Sequence, residues 1–160
     1  FCVCHNTISI KKVFPTFILI YSAFTYSGVF CMLNNNIDNA IDELVSKQGD
    51  GWFIVMEDPE SKNYVQFAWG ESEGLYFDLP VQSLNDDEQN RAKKTLMAYD
   101  IELEVWPLYD RPGGSIVGER GGFSKNIGEN VALAKSLALD VFINIYEISP
   151  STKLVIDIDR

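Results

Sequence analysis

Cys2, Cys4, Cys31 and His5 are the residues of this chain best suited to nucleophilic, redox or zinc chemistry, and all four fall within the first 31 positions. Cys2-Val3-Cys4-His5 is one short cluster of soft ligands, with no second half-site to complete a tetrahedral zinc shell. From Met32 to Arg160 there is neither cysteine nor histidine. A Ser-His-Asp or Cys-His arrangement there would lack its base or its nucleophile. What remains is carboxylate chemistry. Glu57, Asp58 and Glu60 cluster, Glu71 and Glu73 follow, and Glu102 and Glu104 alternate. Two carboxylates held across a cleft can hydrolyse a glycoside, but these stand in polar turns or on one strand face, which predicts solvated surface. Asp157-Ile158-Asp159 lies too close to the chain end for the glycine and distal glutamate of a calcium loop. Gly113 and Gly118 have P-loop spacing, yet Glu119 stands where a phosphate-binding lysine belongs. A glycine-rich hairpin is the expectation there. The chain is thus expected to be no enzyme and to carry no catalytic residue, metal or cofactor.

The elements that position these residues begin after residue 31. Residues 1–31 contain no acid, only the basic pair Lys11 and Lys12, and a mainly apolar run from Val13 to Phe30 interrupted by Pro15 and Ser22. Three readings fit: non-native upstream sequence with translation starting at Met32, a signal or membrane anchor, or an ordered helix. The first places the protein in the cytoplasm, and the second makes it exported or anchored. The remainder, 32–160, reads as one domain of a length that can bury a core without disulfide or metal. The chain holds 23 acids against 13 bases, a net charge of −10. That field repels phosphate backbones and anionic lipid, so neither nucleic acid nor a membrane is expected to partner 32–160.

Ile37, Ile41 and Leu44 recur at helical spacing, and Gly49-Asp50-Gly51 closes that helix. Trp52–Met56, Tyr64–Trp69 and Leu75–Leu79 are β-rich runs separated by polar turns and predict an antiparallel meander. Asn85 with Glu88 predicts a capping box, followed by a helix with Ala92, Leu96 and Tyr99 on one face and Glu88, Arg91 and Lys94 toward solvent. Ile101, Leu103 and Val105 alternate as a strand, and Ser115–Arg120 forms its partner. Glu129–Tyr146 predicts a helix apolar around most of its circumference, more than a monomer's surface should carry. Lys153–Asp159 ends the chain as a strand. The order α-βββ-α-ββ-α-β predicts an α+β fold, an antiparallel sheet with helices packed on one face.

If Phe53, Val55, Val65, Phe67, Leu75 and Phe77 face the helices, the other sheet face carries Trp52, Ile54, Met56, Tyr64 and Tyr76. Those five are the candidate partner-binding residues. Such a face is either a surface for a client or a second copy, or part of a two-sided core.

The element order, the Tyr64–Trp69 strand, the Leu75–Pro80 strand ending in Asp78-Leu79-Pro80, the Glu88–Tyr99 helix and the alanine-rich Val131–Tyr146 helix resemble the type III secretion chaperone-like (TY-Chap) superfamily. The resemblance spans about Ile37 to Ile148. It implies a small acidic α+β domain, often a homodimer, that binds extended segments of client proteins without catalysis. Residues 1–31 and the Lys153–Asp159 strand depart from the pattern. A second function suits a small acidic domain as well, that of an immunity protein neutralising a basic bacterial toxin.

Overall fold

In the computed structural model, the described residues are 31–47 and 49–160; the readings of the N-terminal segment, Cys31 apart, lie outside them. Three helices, α1 (Cys31–Ser46), α2 (Asp86–Met97) and α3 (Val131–Asp140), accompany six strands. The strands are β1 (Trp52–Glu57), β2 (Tyr64–Gly70), β3 (Gly74–Pro80), β4 (Leu103–Tyr109), β5 (Ile116–Gly128) and β6 (Val155–Asp159). All neighbours in the sheet are antiparallel, in the order β4-β5-β3-β2-β1-β6. The fold is α+β with the expected succession of elements. The final strand crosses back to pair with β1, Met56 opposite Ile156 and Ile54 opposite Ile158.

Local chemistry explains the helices. Leu33, Ile37, Ala40, Ile41 and Leu44 lie on one stripe of α1 and are all buried. The stripe starts at Leu33, one turn before Ile37, and the described helix runs from Cys31. The capping box on α2 is present: Asn85 Oδ1 accepts from the Glu88 amide at 2.9 Å, and Glu88 Oε2 accepts from the Asn85 amide at 2.8 Å. Glu88 is buried, contrary to its expected solvent position, because Asn63 Nδ2 also donates to Oε1 at 2.9 Å and ties the helix to the β1–β2 turn. Asp58 departs from expectation for a similar reason. It is buried in its turn, where Oδ2 accepts from the Ser61 amide (2.8 Å) and hydroxyl (2.6 Å).

The third helix ends in a π turn over Val141–Ile145. It does not need a second chain to cover it. Ala134, Leu137, Ala138, Val141, Phe142 and Ile145 are buried within the chain, since α1 packs against α3 and α2 against the π turn. Lys135 reaches Asp42 on α1 at 2.7 Å, and Arg91 on α2 donates through Nε to the Ile145 carbonyl at 2.6 Å. The expected excess of apolar helix surface is therefore spent inside the monomer.

Beneath the helices lie Ile54, Met56, Val65, Phe67, Leu75, Phe77, Leu79 and Phe123, all buried. At the other end of the sheet, β4 and β5 run on past the helices as an arm. Val105, Trp106, Leu108, Tyr109, Ile116 and Val117 are all exposed there. Asp110–Ser115 closes the arm, Asp110 Oδ1 accepting from the Ser115 amide at 2.9 Å, so Gly113–Gly122 belongs to a hairpin as expected. Pro107, opposite Glu119, stands mid-way along the outermost strand.

Candidate functional site

Ile54 and Met56, two of the expected partner-binding residues, are completely buried under the helices. The register corrects the phase of β1. Ile54 pairs with Phe67 and Met56 with Val65, and side chains opposite one another share a face. Trp52, opposite Trp69, also belongs to the helix side, half-buried between Lys47 Nζ at 5.2 Å and the Arg160 guanidinium at 5.8 Å from its ring centroid. The uncovered face instead receives Phe53 and Val55 from β1. Tyr64 and Tyr76 keep their expected places on it, Tyr64 half-buried and Tyr76 exposed.

Two rows of side chains cross this open face. One runs Asp159, Phe53, Ala68, Tyr76 and Asn126, from β6 to β5. The next runs Asp157, Val55, Gln66, Asp78 and Ser124. Phe53 and Tyr76 stand two strands apart, about 10 Å between backbones, with only the methyl of Ala68 between them. The result is a shallow depression of about 190 Å³, lined by Phe53, Gln66, Phe67, Ala68, Tyr76 and Asp78. Its walls are aromatic and its far side is a carboxylate.

Asp78 is held by one neighbour and has room left by another. Gln66 Nε2 donates to Oδ2 from the neighbouring strand. Oδ1 lies 3.3 Å from where a Cβ on Gly122 would be, and Trp106 Cη2 lies 3.3 Å from the same point. Gly122 therefore lets the indole of the arm lie across the sheet beside Asp78, which a larger residue would push away. Trp106, Phe53 and Tyr76 are all partly open to solvent, at 37%, 37% and 42%. Around them stand Asp157, Asp159, Glu57 and Glu104, against two bases: Lys62, paired with Glu57 at 3.0 Å, and the exposed Arg120, opposite Trp106 on β5. The positions of this face thus bring together aromatics and an excess of acids.

Two hollows of 260 Å³ lie elsewhere. Lys93, Met97, Ile101, Glu102, Leu103 and Phe123 line one at the foot of the arm, where one cation and one anion give no preferred charge. Leu139, Ile143 and Pro150 line the other with Asp140, whose carboxylate already accepts from Tyr99 and Asn144. Among the described residues no group of three potential metal ligands converges, and no helix is long and apolar enough to cross a membrane. Of the open-face residues, Phe53 and Val55 are expected on the opposite face, and Gln66, Asp78 and Trp106 are not among the expected partner-binding residues. No signal within Trp52–Met56 fixes its phase, since acids of both parities, Glu57 and Asp58, close it. No family model, curated protein or solved structure matches the chain.

Proposed function

We propose that the chain is a non-enzymatic protein-binding module that receives its partner on the open face of the sheet. The observation carrying this is that, among the described residues, helices cover one face of the sheet only, while Phe53, Tyr76 and Trp106 stand partly exposed around a depression on the other. Rigid aromatics offer large contact area at low entropic cost and are the side chains from which binding hot spots are built. Client binding of the secretion-chaperone kind is the reading that the sequence resemblance favours, with an extended segment of the client laid over these rows. The excess of acids on the same face favours the second reading, an immunity protein for one basic toxin.

Retention of partners from native lysate on immobilised protein tests the proposal. Phe53→Ala and Tyr76→Ala should each strip the retained proteins, while Met97→Ala, at the foot of the arm, should not. Several extended clients would support the chaperone reading and a single tight basic protein the immunity reading. Undiminished retention by both open-face variants would overturn the assignment of this face, and turnover of a small molecule would overturn the non-enzymatic reading.

A further inference from the structure

The geometry points to a cationic, extended peptide segment as the occupant of the open face, with an arginine or lysine side chain entering the depression toward Asp78. This rests on the open face being the docking surface and adds the chemistry of what docks. The depression is apolar along its walls and anionic at one end: Phe53 and Tyr76 flank it, and Asp78 closes it. A long basic side chain has the same two-part character, an apolar stem behind a charged head. The stem would lie along the aromatic walls, where a cation near a ring face gains further attraction. Asp78 retains acceptor capacity, since a carboxylate offers about four lone-pair sites and Gln66 occupies one on Oδ2.

The surroundings select the same partner. Asp157 and Asp159 stand on β6 beside Val55 and Phe53, two residues apart on one face. Alternate residues of a strand repeat about every 7 Å, the spacing at which every second side chain of an extended peptide also recurs. A segment with basic residues at alternate positions can therefore meet several of these acids in one register. A second copy of this chain is the poorer occupant, because its own open face carries the same excess of acids, Asp78, Asp157, Asp159, Glu57 and Glu104 against Lys62 and Arg120. An acidic or phosphorylated segment would meet the same repulsion.

Fluorescence anisotropy of the full chain tests this with two labelled peptides of the same length, one alternating arginine with valine and one alternating glutamate with valine. The arginine peptide should bind and the glutamate peptide should not, and binding should weaken about tenfold or more when salt is raised to about 0.3 M, where the screening length falls to several ångströms. Asp78→Asn and Tyr76→Ala should each weaken the arginine peptide about tenfold, whereas Glu43→Gln, on the helix side, should leave it unchanged. Thermal melts of the three variants confirm that each is folded. Equal binding of the two peptides would overturn the cationic partner while leaving the open face as the docking surface. Binding that ignores Asp78→Asn and Tyr76→Ala would overturn the depression as the anchor. Failure of both peptides would overturn the cationic partner too, and the lysate experiment with Phe53→Ala then decides separately whether the face binds anything.

Discussion

Phe53 and Ile54 are consecutive in one strand and similar in hydrophobicity, yet one is 37% exposed and the other not at all. The difference lies in what stands opposite. Ile54 shares its side of the sheet with α1 and α3, while nothing in the described chain covers Phe53. Across the whole sheet the two faces divide in this way. The covered face is Ile, Leu, Val, Met and Phe at close packing, and its removal should unfold the protein. The open face mixes aromatics with acids, and its removal should cost binding instead. On the proposed reading one sheet serves two ends, with alternate residues assigned to each.

The sharpest break of this contrast is a pair of neighbours in β3. Phe77→Ala should lower unfolding free energy by about 3–5 kcal/mol, while Tyr76→Ala should cost less than about 1 kcal/mol; urea denaturation measures both. Equal losses would mean that the open face is packed like the covered one. Next in size is Gly74→Ala at the β2–β3 turn. Gly74 has φ 77°, and a Cβ there would stand 2.4 Å from the Gly128 backbone. The strain and displacement should cost about 2–3 kcal/mol, read as a shift of the thermal midpoint. Smaller is the buried Glu88. Glu88→Ala leaves the amide of Asn85 and the side chain of Asn63 without their acceptor, at about 1–2 kcal/mol. Glu104→Ala, on the open face, should stay within about 0.5 kcal/mol of the wild type.

The smallest effect depends on acidity. Burial pushes the Asp58 carboxyl up, but hydrogen bonds from Ser61 and Glu60, together with the Lys62 charge, outweigh it and hold the group below its ordinary 3.8. With the folded value below the unfolded one, its stabilisation is complete above about 3.8 and is lost as pH falls through the lower folded value. Urea midpoints should therefore decline less steeply over that acidic range for Asp58→Asn than for the wild type. Parallel declines would remove the carboxylate from the acid response.

Where a pattern had one solution, it was legible in the residues. Asn85 and Glu88 could form a capping box without reference to anything distant, and they do. The alternation of Val65 and Phe67 with Gln66 and Ala68 likewise admits one inward face. Trp52–Met56 admits two, being apolar at every position, and it is closed by acids of both parities, Glu57 and Asp58. Only pairing with β2 decides, and the slip of one residue exchanged Ile54 and Met56 for Phe53 and Val55. The helix from Val131 poses a different difficulty. Its breadth of apolar surface is legible in the sequence, but whether that surface meets α1 and α2 or another molecule depends on packing between elements far apart in the chain. The candidate site was legible in its kind, aromatic residues on a second face, and in Tyr64 and Tyr76. Asp78 and Trp106 come together across Gly122, whose missing Cβ leaves room for both, and no local pattern announces that approach.

Proline has no N–H to give, so the outer rim of β4 is one donor short at Pro107. A chain beginning to stack along that rim would meet a missing rung at its middle. At the opposite rim β6 is five residues long and presents Asp157 and Asp159. Fibril growth needs a long, flat, uncharged template to propagate from, and this sheet ends in one on neither side. Both described rims therefore disfavour edge-to-edge pairing, while the aromatic surface stands on the face between them.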